Sequence, residues 1–426
     1  MIQISEFSYE NKRFVNLLNR QSDIPHEVIT SVNKILDDVK KNGDAAVKKY
    51  MKLYDDVDLD EVGFCVTEEE FVEARKRVPE SFKQAVKLAC DNIFTYHEKQ
   101  KSQNYEVSYK NDVLLQRKYV PLNRVAVTVP GQMAPLFSTL YMNVIPAIVA
   151  KVPEIYIITK PINGKINDYI LYTAEYLNIK KVYKISGAQG IAAVAYGTDK
   201  INRVDAIVGP GNNYTQMAKK LLYGQLRIDS IAGPSEIAII ADETASPKFI
   251  AADLLSQAEH GTGFEASTAF CTSQELANEI KKELVHLVNK HHLENTLNSL
   301  ENYGDIFVVD SLETAINAVN MIAPEHAEVM VKDNSSVVDK LVNVGAIFVG
   351  EYSPEPTGDY FCGSNHILPT CGTARFCSGL SVQDFMRGYS VINYTKEALV
   401  QNGEYIKLLA ETEGLKAHSL SVDIRL

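Results

Sequence analysis

The chain has 426 residues, with 43 Lys plus Arg against 54 Asp plus Glu, a formal net charge of -11. That length exceeds what one core usually fills, so two or more domains are expected. The acidic balance without a long basic run argues against nucleic acid, and no apolar run is long enough to span a bilayer. The start, Met1-Ile2-Gln3-Ile4-Ser5-Glu6, lacks a basic region followed by an apolar core, so a soluble cytoplasmic protein with no membrane partner is expected. Cysteines 65, 90, 271, 362, 371 and 377 form no Cys-x-x-Cys pair and read as reduced core or loop residues.

The chain opens with helices. Val28, Ile29, Val32, Ile35, Leu36 and Val39 recur at helical spacing, and Asn42-Gly43-Asp44 breaks the pattern before a second helix. Thr67-Glu68-Glu69-Glu70 has the form of a capping box, opening a charged helical region that ends near Asn104. Residues 105–109 and 113–119, joined through Asn111-Asp112, read as a hairpin. From Arg124 short apolar runs alternate with helices. Strands are expected at 124–129, 154–159, 181–185, 205–208, 236–241, 267–271, 305–309, 328–331 and 346–349. This is the α/β pattern of βαβ units, with enough strands for two parallel sheets. The section from about Ser381 reads as helical pieces that pack on something else, a second subunit being one candidate.

Ligands of open parallel sheets bind beyond the carboxyl ends of the strands. Three turns there are rich in Gly: Pro130-Gly131-Gln132, Gly187-Ala188-Gln189-Gly190 and Gly209-Pro210-Gly211-Asn212. Each precedes an expected helix whose free N–H groups can hold a phosphate. None is a G-x-G-x-x-G fingerprint, and tight strand-to-helix turns account equally well for each loop taken alone.

Side chains able to do chemistry fall in a few further stretches. Ser246 and Pro247 suit the start of a helix that Gly261 ends, placing Gln257 and His260 three apart on one face, near the negative end of its dipole. A His before such a Gly otherwise only complements the dipole. In Ala323-Pro324-Glu325-His326 a neighbouring acid and imidazole supply bases of two strengths, provided Pro324 gives an irregular turn that points both into a cleft. A surface Glu with a structural His is the alternative. Asp359, beside Gly358 in a loop, is an oxygen donor that with Gln257, His260 and one more nitrogen would make a mixed site suited to zinc. His418 is a candidate for that nitrogen, although it lies on the stripe of Leu408 and Leu415 and also reads as a core or interface histidine.

Taken together, Ser-Gln-Ala-Glu-His-Gly at 256–261, Ala-Pro-Glu-His-Ala at 323–327, Gly-Asp-Tyr at 358–360, Asn-His-Ile-Leu-Pro-Thr at 365–370 and Glu-Gly-Leu-Lys-Ala-His at 413–418 resemble histidinol dehydrogenase. So do Gly-Ala-Gln at 187–189, Gly-Pro-Gly-Asn at 209–212 and Ala-Gly-Pro-Ser-Glu at 232–236. The motifs occur in that family's order along essentially the whole chain. The resemblance implies oxidation of L-histidinol through L-histidinaldehyde to L-histidine with two NAD, the end of histidine biosynthesis. It implies one zinc per subunit on Gln257, His260, Asp359 and His418. Substrate would be held by Ser235, Gln257, His260, His326, Asp359, His366, Glu413 and His418, and NAD by Thr128, Gln189 and Asn212. Glu325 would activate water and His326 would be the base.

The implied fold is two incomplete Rossmann-like domains with small N-terminal and C-terminal helical segments, in a homodimer with shared active sites. Residues 1–24 would form an N-terminal arm, and 25–122 with 236–380 the first, discontinuous domain carrying the metal and catalytic residues. Residues 123–235 would form the NAD-binding domain, and 381–426 a segment reaching the partner subunit. The first nucleotide loop departs from the family pattern: Thr128 stands where members carry Tyr, and Gln132 where they carry Gly. A paralogue acting on another amino alcohol or a sulfonated diol is a second reading, against which Glu413 and His366, suited to an amine and an imidazole, argue. A zinc hydrolase or a binding protein without redox activity is a third. Formation of NADH from histidinol separates them.

Overall fold

A computed structural model of the chain describes residues 2–20, 25–109, 113–131 and 135–426. The first strands in chain order are β1 (Gln3–Glu6), β2 (Tyr105–Tyr109), β3 (Val113–Pro121), β4 (Arg124–Thr128), β5 (Glu154–Ile158), β6 (Lys181–Tyr183) and β7 (Ala206–Val208). There follow β8 (Arg227–Ile228), β9 (Glu236–Ala241), β10 (Ala266–Cys271), β11 (Asp305–Val308), β12 (His326–Met330), β13 (Ala346–Val349) and β14 (Met386–Tyr394). They form a six-stranded sheet ordered β1-β11-β10-β9-β12-β13 and a five-stranded sheet ordered β6-β5-β4-β7-β8. Both are parallel throughout. A three-stranded antiparallel sheet, β14-β3-β2, stands apart. Every residue of β9 and β10 is buried, which is why they read as near-continuous apolar runs: helices cover both faces of a parallel sheet. No helix among the described residues is long and apolar enough to cross a membrane.

Local signals held where the chemistry is local. Gly43 breaks the long helix His26–Asp55 with φ 51°, and Thr67 and Glu70 exchange both bonds of the capping box. β2 and β3 pair as the hairpin, whose turn at Asn111-Asp112 lies outside the described residues. The helix after β9 starts at Pro247 as expected but ends at Ala258, two residues short of His260, and the Ser246 side chain makes no capping bond.

Two groupings are corrected. The helices within 26–98 do not pack on the six-stranded sheet with 236–380. Val32, Val47, Tyr50 and Met51 bury themselves with Ala126, Ile158, Ala188 and Ile191 of the five-stranded sheet and its helices. Val86 and Ile93 join Val125 and Leu140 on the opposite face. An amphipathic stripe states that a helix is buried on one side, not which sheet receives it. The end segments are also more than helical pieces. β1 is an edge strand of the six-stranded sheet, and β14 adds to the hairpin before the helices Lys396–Thr412 and Lys416–Asp423.

Candidate active site

The two parallel sheets meet at opposite ends. β9 and β12 begin at Glu236 and His326, paired side by side with His326 opposite Ile237. Their amino ends face the turns after β7 and β8, so that Ser235, Glu325 and His326 share a 220 Å³ cavity with Gly209, Pro210, Asp229 and Ser230. The Glu325–His326 pair thus departs from the rule that placed ligands at carboxyl ends, and only the five-stranded sheet's glycine turns follow it. His260, Asp359 and His366 line the same cavity.

The irregular turn required at Glu325 and His326 is present. Ala323 ends its helix in the left-handed region (φ 53°), Pro324 follows, and His326 opens β12. Both side chains are buried, Glu325 at 7% and His326 at 3% exposure. His326 Nδ1–H donates to the Glu236 carbonyl at 3.1 Å. That bond selects the tautomer whose Nε2 is the accepting nitrogen, and Nε2 is buried without a partner. Burial pushes the imidazole pKa down to about 3, against the Glu236 carbonyl bond, so the ring stays neutral. Glu325 is pushed the other way, first by burial and then by the charges of Glu236 and Asp359.

Around Nε2 of His326 lie Glu355 Oε1 and Asp359 Oδ1, each at 3.9 Å. These three side chains form a group close enough to hold one metal ion. Asp359 sits on the short turn Pro356–Tyr360, which packs tightly because a Cβ on Gly358 would lie 2.6 Å from the Phe348 ring. Burial raises Glu355 to about 8 and Asp359 to about 6, with Asp359 held down by its hydrogen bond from Glu355. His366 Nδ1–H donates to the Asp359 carbonyl at 2.9 Å, and burial lowers that ring to about 4. His260 Nδ1 lies 3.1 Å from the Gln257 carbonyl and 3.3 Å from its amide nitrogen, which leaves Nε2 for a ligand. Gln257 Oε1 and Glu355 Oε1 are buried and without partners. Buried polar atoms seldom stay unpaired, so this set fits a cation with mixed N and O ligands.

Of the expected ligands, Gln257, His260 and Asp359 come from the body of the chain. Glu413 and His418 are exposed on the C-terminal helices and do not line the cavity of their own chain. Glu355 was not singled out from sequence. Its signal is its place between Pro354 and Pro356, one turn before Asp359.

A second cavity of 310 Å³ adjoins the first, sharing Pro210. It is lined by Thr128, Gly131, Ser186, Gly187, Gly211 and Asn212, the three Gly-rich turns at the carboxyl ends of the five-stranded sheet. Thr128 donates its hydroxyl to the Pro210 carbonyl. Asn212 caps the helix that follows, accepting from Thr215 N–H at 3.1 Å. Gln189 is buried beneath the surface of this cavity, where Nε2 donates to Asp55 at 3.0 Å. Asp55, which lines the cavity, was missed because it arrives from the end of the sequence-distant helix His26–Asp55. Gln132 lies outside the described residues.

Fold and site define an α/β enzyme with an acid and a neutral imidazole buried between two parallel sheets, beside a glycine-turn cavity. The family model of histidinol dehydrogenase matches residues 18–426. Histidinol dehydrogenase of Clostridium acetobutylicum is 44% identical over 416 residues, covering 97% of this chain and 96% of that protein. The Bacillus cereus protein of the same name is 44% identical, with 96% of each covered. The crystal structure of histidinol dehydrogenase from Elizabethkingia anophelis superposes with a TM-score of 0.93 at 34% identity, covering 100% of this chain and 98% of that one. The chain belongs to the histidinol dehydrogenase family, and so is an oxidoreductase of histidine biosynthesis.

Proposed function

We propose that the protein oxidises L-histidinol through L-histidinaldehyde to L-histidine, using two NAD and one zinc ion per subunit. The observation that carries this reading is the shared cavity: Glu325, His326, His260, Asp359, His366 and Ser235 converge on it, and Pro210 joins it to the glycine-turn cavity. Gln257, His260 and Asp359, with His418 of a second subunit, would hold zinc, which would supply a fixed cation able to take the substrate's nitrogens and orient it. NAD would lie against Thr128 and Asn212, with Gln189 supporting that surface from below through Asp55, and would accept hydride.

The chain's own residues then divide the work. His366, Ser235 and the partner's Glu413 orient the substrate's imidazole and amine. His326, neutral and with Nε2 unpartnered, takes the proton of the alcohol as hydride leaves its carbon. In the second half Glu325 takes a proton from a water that adds to the aldehyde, while His326 returns the proton it took from the alcohol to the carbonyl oxygen, giving the neutral hydrate and freeing its Nε2. His326 then takes the hydroxyl proton of the resulting hydrate as the second hydride departs, leaving the carboxylic acid. The raised affinity of Glu325 for a proton makes its ionised form a stronger base than an exposed carboxylate.

Support for a homodimer comes from the C-terminal segment. It exposes Ile392, Tyr405, Leu408, Leu409, Leu420 and Ile424, an apolar surface suited to a subunit contact. The test is stoichiometric: purified protein with zinc, NAD and histidinol should form close to two NADH per histidinol consumed and end at histidine. A stable aldehyde with one NADH would contradict the reading.

A further inference from the structure

We infer that the Arg20–Glu236 side-chain pair is the positioning device for Glu325, acting on the aldehyde half of the reaction; this rests on Glu325 as the water-activating base. Glu236 lies where β9 starts beside β12. Its Oε2 accepts the Glu325 N–H at 3.3 Å, and its own N–H donates to Glu325 Oε2 at 3.1 Å. The two acids therefore clasp each other's backbone across the first rung between the strands. One bond sets the Glu325 main chain, the other its carboxylate, and together they define where that carboxylate faces the cavity.

A buried carboxylate stays in such a place only if its charge is answered. Arg20, which follows the N-terminal helix Lys12–Leu18, supplies the answer. Its Nη1 meets Glu236 Oε1 at 3.1 Å, with the two side chains 7% and 3% exposed. Its Nη2–H donates to the Phe264 carbonyl at 2.6 Å, and the guanidinium lies over the Tyr303 ring at 5.0 Å. Arg20 is thus held on three sides, and it holds the Glu236 oxygen that Glu325 does not use. His326 is tied to Glu236 differently, through the main chain, which the β9–β10 ladder holds at Glu236 whatever the side chain does. The side-chain pair consequently acts on Glu325 through its main-chain N–H, fixing the turn from which the carboxylate projects, and leaves the tautomer of His326 alone.

The experiment measures both half-reactions, histidinol to aldehyde and supplied histidinaldehyde to acid, in the zinc-loaded protein. The double variant Arg20→Met with Glu236→Gln removes both charges without leaving either buried alone, and Gln keeps an acceptor for Glu325 N–H. Its aldehyde-oxidation kcat is expected to fall about tenfold or more with little change in KM for histidinaldehyde, while histidinol oxidation stays within about threefold. Arg20→Lys, which keeps the charge, should restore the aldehyde half to within about threefold of the wild-type rate. Equal losses in the two halves, no loss, or failure of the neutral pair to fold would each overturn the inference, since the pair would then serve the fold alone. Glu325→Gln is measured beside these variants. A selective loss there without one in the double variant overturns only the positioning role, whereas no selective loss overturns the role of Glu325 and this inference with it.

Discussion

As the proposed base, His326 would accept a proton in a place that resists any charge on it. The same burial that pushes its pKa down to about 3 keeps Nε2 free at neutral pH, and the Glu236 carbonyl keeps Nδ1 occupied. His326→Asn is expected to slow both oxidations by about 10²–10⁴-fold, the usual worth of a positioned base. Glu325→Gln is expected to impair mainly aldehyde to acid, because only that half needs an attacking water. Rates on histidinol and on supplied aldehyde check both, and a Glu325→Gln enzyme that oxidises aldehyde as fast as wild type would remove Glu325 from the mechanism. A third residue matters through stability. His97 is fully buried, donates Nδ1–H to Ile93 O at 2.9 Å, and meets the Asn365 amide at 3.3 Å through Nε2, beside His366. Burial depresses its pKa, so the stability it contributes is present above the unfolded value of about 6.5 and is lost as pH falls below it. His97→Gln, which keeps a donor and an acceptor but does not titrate, should lose stability less steeply between pH 6.5 and 5. Urea midpoints across that range check it, and parallel slopes would clear His97 of the effect.

At the scale of elements, the loop after β7 shows what a glycine motif is for. Gly209 has φ 104°, its N–H donates to Asp229 at 2.7 Å, and its carbonyl accepts from the buried Lys219 at 2.8 Å. A Cβ there would lie 2.5 Å from the Thr128 carbonyl. Gly209→Ala should cost about 1–3 kcal/mol in stability from the backbone conformation alone. It should also raise KM for NAD more than KM for histidinol, a comparison that initial rates provide. This loop was legible because glycine spacing is a local signal, as were β4, β5, β9, β10 and β13, whose apolar runs are flanked by turns. β14 was not: Met386 to Tyr394 alternates no apolar face, and none of its residues is buried. The two-residue β8 is too short to carry a pattern. Glu325, His326 and Asp359 stood out because their motifs are compact. Glu236 and Glu355 did not, because Glu236 meets Glu325 across 89 residues of chain and Glu355 gains its meaning only beside His326. That the pair opens at amino ends of strands follows from how one sheet faces the other, which strand periodicity does not encode.

For the whole molecule, the unanswered geometry is that of Glu413 and His418. His260 and Asp359 line the cavity of their own chain, with Gln257 beside His260, while the two C-terminal residues stand exposed on or next to helices that bury few side chains of their own. Only Ala398, Gly403 and Ser419 are buried in those helices, so they fold as packing elements without a core. A tail of that kind would gain stability by docking, and in the proposed homodimer a second copy of the chain would offer the surface under two-fold symmetry. If it crosses over, each active site takes His260 from one chain and His418 from the other. A His260→Ala chain and a His418→Ala chain, each inactive alone, then form a mixed dimer in which one site gathers both defects and the other has neither. Co-expressed with different tags and purified as the heterodimer, they should regain up to about half of wild-type activity, with one zinc per dimer, if the sites act independently. A heterodimer with neither zinc nor activity would place His418 in its own chain's site, because every site would then carry one defect. One that binds zinc at a single site yet stays inactive would show that crossing of the tail completes the metal set without completing the catalyst.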